Sequence, residues 1–242
     1  MTAPPSTTPS YWTDTRRPIY SAALVLPFLL TYEIGLLLLK PDRINGGDVI
    51  IQRILGLISI QIPFLSAVVL LACFVVWQVR AKGDWKLNWG FLQLAYLESL
   101  ACAIVLFLFM GWLSRTLPQA SLAAAGLRGR FLEVVLYCGA GVYEELVFRV
   151  LLLGLLLLVF TKLLHMETFA ASVWSVILGA LLFSLFHYLP GGDTFHINSF
   201  LQRAFAGVFF AALFVTRSFG VAAASHALYD ILVGFQHIYS PD

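Results

Sequence analysis

The sequence predicts an all-α, polytopic membrane helix bundle of about seven transmembrane helices plus an interfacial amphipathic helix. Two observations predict it. Of the 242 residues, 60% are hydrophobic and only 12% are charged, with a mean hydropathy of +0.87, whereas soluble domains carry roughly 25% charged residues. The apolar residues are also gathered into runs of about 20, the length that crosses a bilayer core, bounded by charge, Gly or Pro.

Residues 1–18 form a polar tail without the basic and apolar pattern of a cleavable signal, so the first apolar run is expected to remain in the mature protein. That run, 19–39, contains Pro27, which a membrane helix tolerates when neighbours re-satisfy the freed backbone. Lys40, Pro41, Asp42 and Arg43 close it, and Asn45, Gly46 and Gly47 then reset the chain. The next apolar stretch is too long for one span, and Gln52, Arg53, Gly56 and Ser59 recur on one helical face before Pro63. It divides there into an amphipathic helix over 48–60, lying in the interface, and a second span over 63–79. Trp77, Trp85 and Trp89 around the polar loop 80–88 mark a bilayer boundary. The third span is 90–113, followed by the longest polar connection, with Arg115, Pro118, Arg128 and Arg130. The fourth run, 131–164, would be roughly 50 Å long as one helix and exceeds the bilayer core, so its charged cluster is expected near one membrane face. The remaining spans are 169–188, 200–215 and 219–238. The chain therefore reads as a tail over 1–18, N-terminal membrane helices over 19–130 and a helical core over 131–238, together one integral membrane domain. A bacterial cytoplasmic membrane is the expected location. Lys and Arg divide almost evenly between the two sides and leave the orientation open.

The 15 Lys and Arg residues sit between apolar runs and form no basic patch, which sets nucleic-acid binding aside. Cys73, Cys102 and Cys138 lie within apolar runs without CxxC spacing and are expected to be small buried hydrophobes.

A charged side chain within a span costs on the order of 2.5 to 3.5 kcal/mol and by default marks function. Glu144, Glu145 and Arg149 place three such groups within six positions. Glu145 and Arg149 are spaced i to i+4 and can pair on one helix face, a role that is structural as readily as catalytic. Glu144 lies about 100° further round the helix and has no basic partner at that spacing. It is free to address a water or a metal, as a general base does. His187 ends the fifth span just before Pro190, Gly191 and Gly192, at a depth matching Glu144, and His226 and Asp230 again share one face at i to i+4. Several helices thus offer Glu, His, His and Asp to one point. Tyr143, Phe148 and Phe183 are expected to wall that point, and His165, His196 and His237 to be solvated. Glu33 and Glu98 are further intramembrane carboxylates, expected either to reach the same cavity or to be hydrogen-bonded elsewhere.

The ordered set Glu-Glu-x-x-x-Arg at 144–149, Phe-x-x-x-His at 183–187 and His-x-x-x-Asp at 226–230 resembles the CPBP family, the membrane-embedded CAAX prenyl endopeptidase and Abi proteins. The resemblance covers about residues 131–238 and implies a membrane-embedded peptidase, glutamic or metal-dependent. In it Glu144 activates water, Glu145 and Arg149 support it, and His187 assists. His226 and Asp230 would line the site and polarise the scissile carbonyl. The alternative is a divalent metal such as zinc held by Glu144, His187, His226 and Asp230; the HExxH signature is absent. The implied partners are membrane lipid and a peptide or lipidated-protein substrate. Asp230 stands where many family members carry Asn, and an ionised Asp cannot donate to an oxyanion; Val150 stands where Gly is common, which implies altered packing. A proton-coupled transporter and a non-catalytic binding or self-protection protein are the competing readings. The oligomeric state is not legible.

Overall fold

The computed structural model describes residues 10–42, 44–57, 64–115, 127–189 and 192–239. Among these every regular element is helical: α1 (Tyr11–Asp14), α2 (Pro18–Leu39), α3 (Gly46–Gly56), α4 (Leu65–Arg80), α5 (Trp89–Arg115), α6 (127–163), α7 (Thr168–Phe186), α8 (Ile197–Thr216) and α9 (Phe219–Tyr239). Five of them are long and apolar enough to cross a membrane, and Leu65–Arg80 and Phe219–Phe235 are shorter apolar helices. The protein is an all-α, multi-pass membrane helix bundle whose helices fall on the expected spans. Expectations placed on the tail over 1–9, on Arg43, Ser59, Pro63 and Pro118, and on the break at Pro190 and Gly191 lie outside the described residues.

Local chemistry sets the helix ends. Pro18 opens α2, where its missing N–H costs nothing, and Lys40 closes it in the left-handed region (φ 45°) ahead of Pro41. Inside α2, Pro27 frees the carbonyl of Ala23, and the Tyr96 hydroxyl on α5 donates to that oxygen at 2.8 Å. The Asn45 side chain caps α3 by accepting from the Gly47 N–H at 2.8 Å. The Glu167 carboxylate caps α7, accepting from Phe169 and Ala170 at 3.0 and 3.1 Å, and those two N–H groups hold its carboxyl below the usual range.

Small residues let α6 meet its neighbours. A Cβ at Gly141 would lie 2.6 Å from the Ala227 N and 2.7 Å from the Ala223 carbonyl oxygen, so only Gly admits α9 at this distance. The main core gathers Tyr32, Ile51, Phe74, Val142, Phe148, Phe183 and Phe219 from six helices. Cys138 is buried there and Cys102 half-buried. Cys73 is exposed on the outer face of α4, against the burial expected of it, because α4 presents one side to the surroundings of the bundle. Trp77, Trp85 and Trp89 are exposed around the α4–α5 connection.

Candidate active site

α6 begins at Leu127, earlier than expected, so the charged cluster falls midway along it rather than towards its front. Its backbone widens into π-helical turns at Ala140–Glu144 and Leu146–Leu152, which carry Glu144 and Arg149 and flank Glu145. Such bulges concentrate at functional sites because they re-aim neighbouring side chains.

The two carboxylates point to different partners. Glu145 is fully buried, 3.0 Å from the Arg149 Nε at i to i+4, as the spacing predicts. On its other side its Oε1 accepts from the His226 Nδ1 at 2.8 Å. The Arg149 guanidinium lies over the Phe183 ring at 4.6 Å and donates to the Gly207 carbonyl at 3.4 Å. The second His226 nitrogen, Nε2, is 3.5 Å from Asp230. A continuous chain Arg149, Glu145, His226, Asp230 results.

Glu144 faces the other way. Its Oε1 accepts from the Asn45 Nδ2 at 3.0 Å, and its Oε2 lies 3.9 Å from the His187 Nε2. The opposite ring nitrogen of His187 donates to the Phe183 carbonyl at 2.9 Å, so in the neutral imidazole Nε2 is the acceptor and is turned towards Glu144. The His187 side chain is 24% exposed, whereas those of Glu145 and Arg149 are closed to solvent.

The site residues therefore fall into two adjoining groups rather than one point. Among the described residues no group of three or more His, Cys, Asp or Glu side chains is placed to hold a metal ion. His226 already directs both nitrogens at carboxylates, so the set Glu144, His187, His226 and Asp230 does not fit a shared ion. The arrangement instead sets the buried Glu144 carboxylate beside the partly exposed His187 imidazole, backed by a closed charge chain.

Of the three aromatics expected to wall the site, Phe183 touches His187 and Phe148 backs it, whereas Tyr143 turns to α2. Phe183 packs on Phe148 at 5.1 Å and on His187 at 5.0 Å, and Tyr143 packs on Tyr32 at 5.5 Å. Glu33 reaches the back of the site, accepting from the Tyr143 hydroxyl at 2.6 Å. Glu98 does not: it pairs with Arg217 at 2.6 Å at the opposite end of the bundle. His165 and His196 are exposed, and the His237 side chain lies outside the described residues. Val150 is 40% exposed and faces outward, so no helix contact depends on a Gly there.

Three contributors were not legible as site residues. Phe210 of α8 stacks on the His226 ring at 4.4 Å, and Gly207 supplies the carbonyl for Arg149. The third is Asn45, read from sequence as a loop residue. Its signal was the run Asn45-Gly46-Gly47-Asp48, a cap ahead of an amphipathic helix with two residues that permit close backbone approach.

Residues 128–232 match the family described as Type II CAAX prenyl endopeptidase Rce1-like. No curated protein and no solved structure matches the chain. The matched segment holds all three motifs in order, on the helices that bring them together. That match supports assigning residues 128–232 to the CPBP family of CAAX-type intramembrane proteases.

Proposed function

We propose that the protein hydrolyses a peptide bond of a membrane-associated, lipid-modified substrate, with Glu144 as the general base. The observation that supports this is the division of labour between adjacent carboxylates. Glu145 is committed to Arg149 and His226 in a closed interior, while the Glu144 Oε2 looks across 3.9 Å to the His187 Nε2 at a partly exposed edge. That gap is too long for a direct hydrogen bond and suits one water held by both groups.

In this reading the water gives a proton to Glu144 as its oxygen bonds to the scissile carbonyl carbon. The carbonyl oxygen becomes an oxyanion. Collapse of the tetrahedral intermediate breaks the C–N bond, and the departing amine takes the proton back from Glu144, leaving a carboxylic acid, which then ionises, and an amine as products. His226 gives its Nδ1–H to Glu145 and directs Nε2 at Asp230, so it couples the two carboxylates behind the base. Asp230 then orients that ring. No step is routed through a metal, because the side chains do not form a ligand set.

The test is cleavage of a fluorogenic prenylated CAAX peptide by purified protein in detergent, beside the same peptide without its lipid. Glu144→Gln is expected to lower kcat by about 10²- to 10⁴-fold, the usual weight of a general base, with an unchanged unfolding midpoint. Equal cleavage by wild type and Glu144→Gln would falsify the assignment, and equal cleavage of both peptides would remove the lipid from the substrate description.

A further inference from the structure

We propose that Asn45, at the N-terminus of α3 and outside the segment that matches the family, is a positioning residue that selects which oxygen of Glu144 takes the proton. The inference rests on the reading of Glu144 as the base. Asn45 holds one oxygen, Oε1, with its amide at 3.0 Å, and His187 faces the other, Oε2. A carboxylate gripped at one oxygen cannot rotate about its terminal bond without losing a charge-assisted hydrogen bond. Its free oxygen stays aimed at the edge where His187 lies.

The amide is itself over-determined, which is what a positioning group requires. Its Oδ1 accepts from the Gly47 N–H at 2.8 Å, and this fixes the flip of the amide, since only the NH₂ end can then address a carboxylate. The Asn45 backbone N–H donates to the Tyr32 hydroxyl at 3.2 Å, and that hydroxyl donates to the Asp48 Oδ2 at 3.0 Å. Gln52 donates to the same Asp48 oxygen at 3.0 Å. Asp48 is 1% exposed, so the loop is fastened into the bundle from within.

Backbone shape agrees with this. A Cβ on Gly47 would sit 2.8 Å from the Glu144 N and from the Tyr143 carbonyl carbon, both main-chain atoms. Only Gly lets α3 press on α6 beside the carboxylate. The N-terminal turn of the amphipathic helix is therefore seated against the site rather than lying free in the interface, and its cap Asn45 brings an amide to Glu144 from outside 128–232.

Two substitutions separate positioning from helix capping. Asn45→Asp and Asn45→Ser both keep an oxygen suited to cap α3; Asp has no donor for Glu144, and the Ser hydroxyl is one atom shorter than the amide that reaches it. Each is expected to lower kcat on the prenylated peptide by about 10- to 100-fold, the scale of a misplaced reacting group, with KM within about twofold of wild type. A merely structural role would instead leave the kcat of both at the wild-type value, whatever the midpoint of Asn45→Asp does. Full activity of both variants beside an inactive Glu144→Gln overturns the role of Asn45 and leaves the base in place. An active Glu144→Gln overturns the base and this proposal together. A cycle of unfolding midpoints in detergent tests the contact without any substrate. Asn45→Asp sets two carboxylates together and is expected to lower the midpoint, and Glu144→Gln in the same chain to restore it. Additive midpoints overturn the contact and the proposal.

Discussion

Among the described residues the most confined charge is the Glu145 carboxylate, which has no exposed side-chain surface and two partners, Arg149 at 3.0 Å and His226 at 2.8 Å. Taking two charges out of water costs several kcal/mol each, and their attraction offsets that cost only while both are present. Arg149→Met leaves Glu145 facing Phe183 and a single imidazole. It is expected to destabilise the protein by about 3–5 kcal/mol, read as a lower unfolding midpoint in detergent. The double substitution Glu145→Gln, Arg149→Met removes both charges and is expected to recover much of that loss. A single variant as stable as wild type would show that the pair contributes nothing. This pair was legible in the sequence because its spacing is local, four residues along one helix. Its extension to His226, 81 residues away, and the Asn45 contact to Glu144, 99 residues away, were not. Sequence spacing does not report which faces of separate helices meet.

Among the elements, α6 decides whether the site assembles, because it touches the others through residues with little or no side chain. Of its four glycines, those at 141 and 154 look alike in sequence and differ in surroundings. A Cβ at 141 would press on Ala227 and Ala223 main-chain atoms at 2.6 to 2.7 Å, whereas around Gly154 nothing lies within 4 Å. Gly141→Ala must move α9 away from α6, and with it the His226 ring from Glu145. A cost of about 1–3 kcal/mol is expected, as for overpacking in general, together with a lower kcat on the prenylated peptide. Gly154→Ala is expected to be neutral or slightly stabilising, since Ala is the better helix former by about 1 kcal/mol. Equal effects at the two positions in unfolding and activity assays would show that the α6–α9 approach does not set the site. The spans themselves were readable, because apolar length is a local property that the bilayer reads directly. The early start of α6 at Leu127 and its π-helical turns were not. They depend on packing against α2 and α9, which no hydropathy window contains.

Over the whole molecule, successive helices alternate in direction, so the polar groups collect at two places: the site, and a clasp at the opposite end. In the clasp Arg217, between α8 and α9, donates to both Glu98 carboxylate oxygens, at 2.5 and 2.6 Å, and to the Thr15 hydroxyl at 3.2 Å. Its guanidinium lies over the Trp12 ring at 4.3 Å, and the Tyr11 hydroxyl donates to Glu98. Arg17 reaches the carbonyls of Asp84 and Lys86 at 2.5 and 3.0 Å. The segment before α2 is thereby tied to the α4–α5 connection and to the α8–α9 turn, three places far apart in the chain. Such ties hold the helix ends in register without entering the chemistry, which separates the clasp from the site by function as well as distance. Tyr11 gives a pH handle on it. Burial, with the hydrogen bond to Glu98 and its charge, raises the Tyr11 hydroxyl from 10.0 to about 12. The folded protein binds that proton more tightly than the unfolded chain. The clasp's contribution is therefore complete below pH 10 and is lost as the pH rises through about 12. Unfolding midpoints measured from pH 8 to 12 are expected to fall through that window in wild type, and to fall less in Tyr11→Phe, which has no proton there to lose. At pH 8 the variant's kcat on the prenylated peptide is expected to equal that of wild type, because Tyr11 touches nothing at the site. Parallel loss of stability in the two proteins across pH 10–12 would separate Tyr11 from the clasp, and a lower kcat at pH 8 would mean that the two ends of the bundle are coupled.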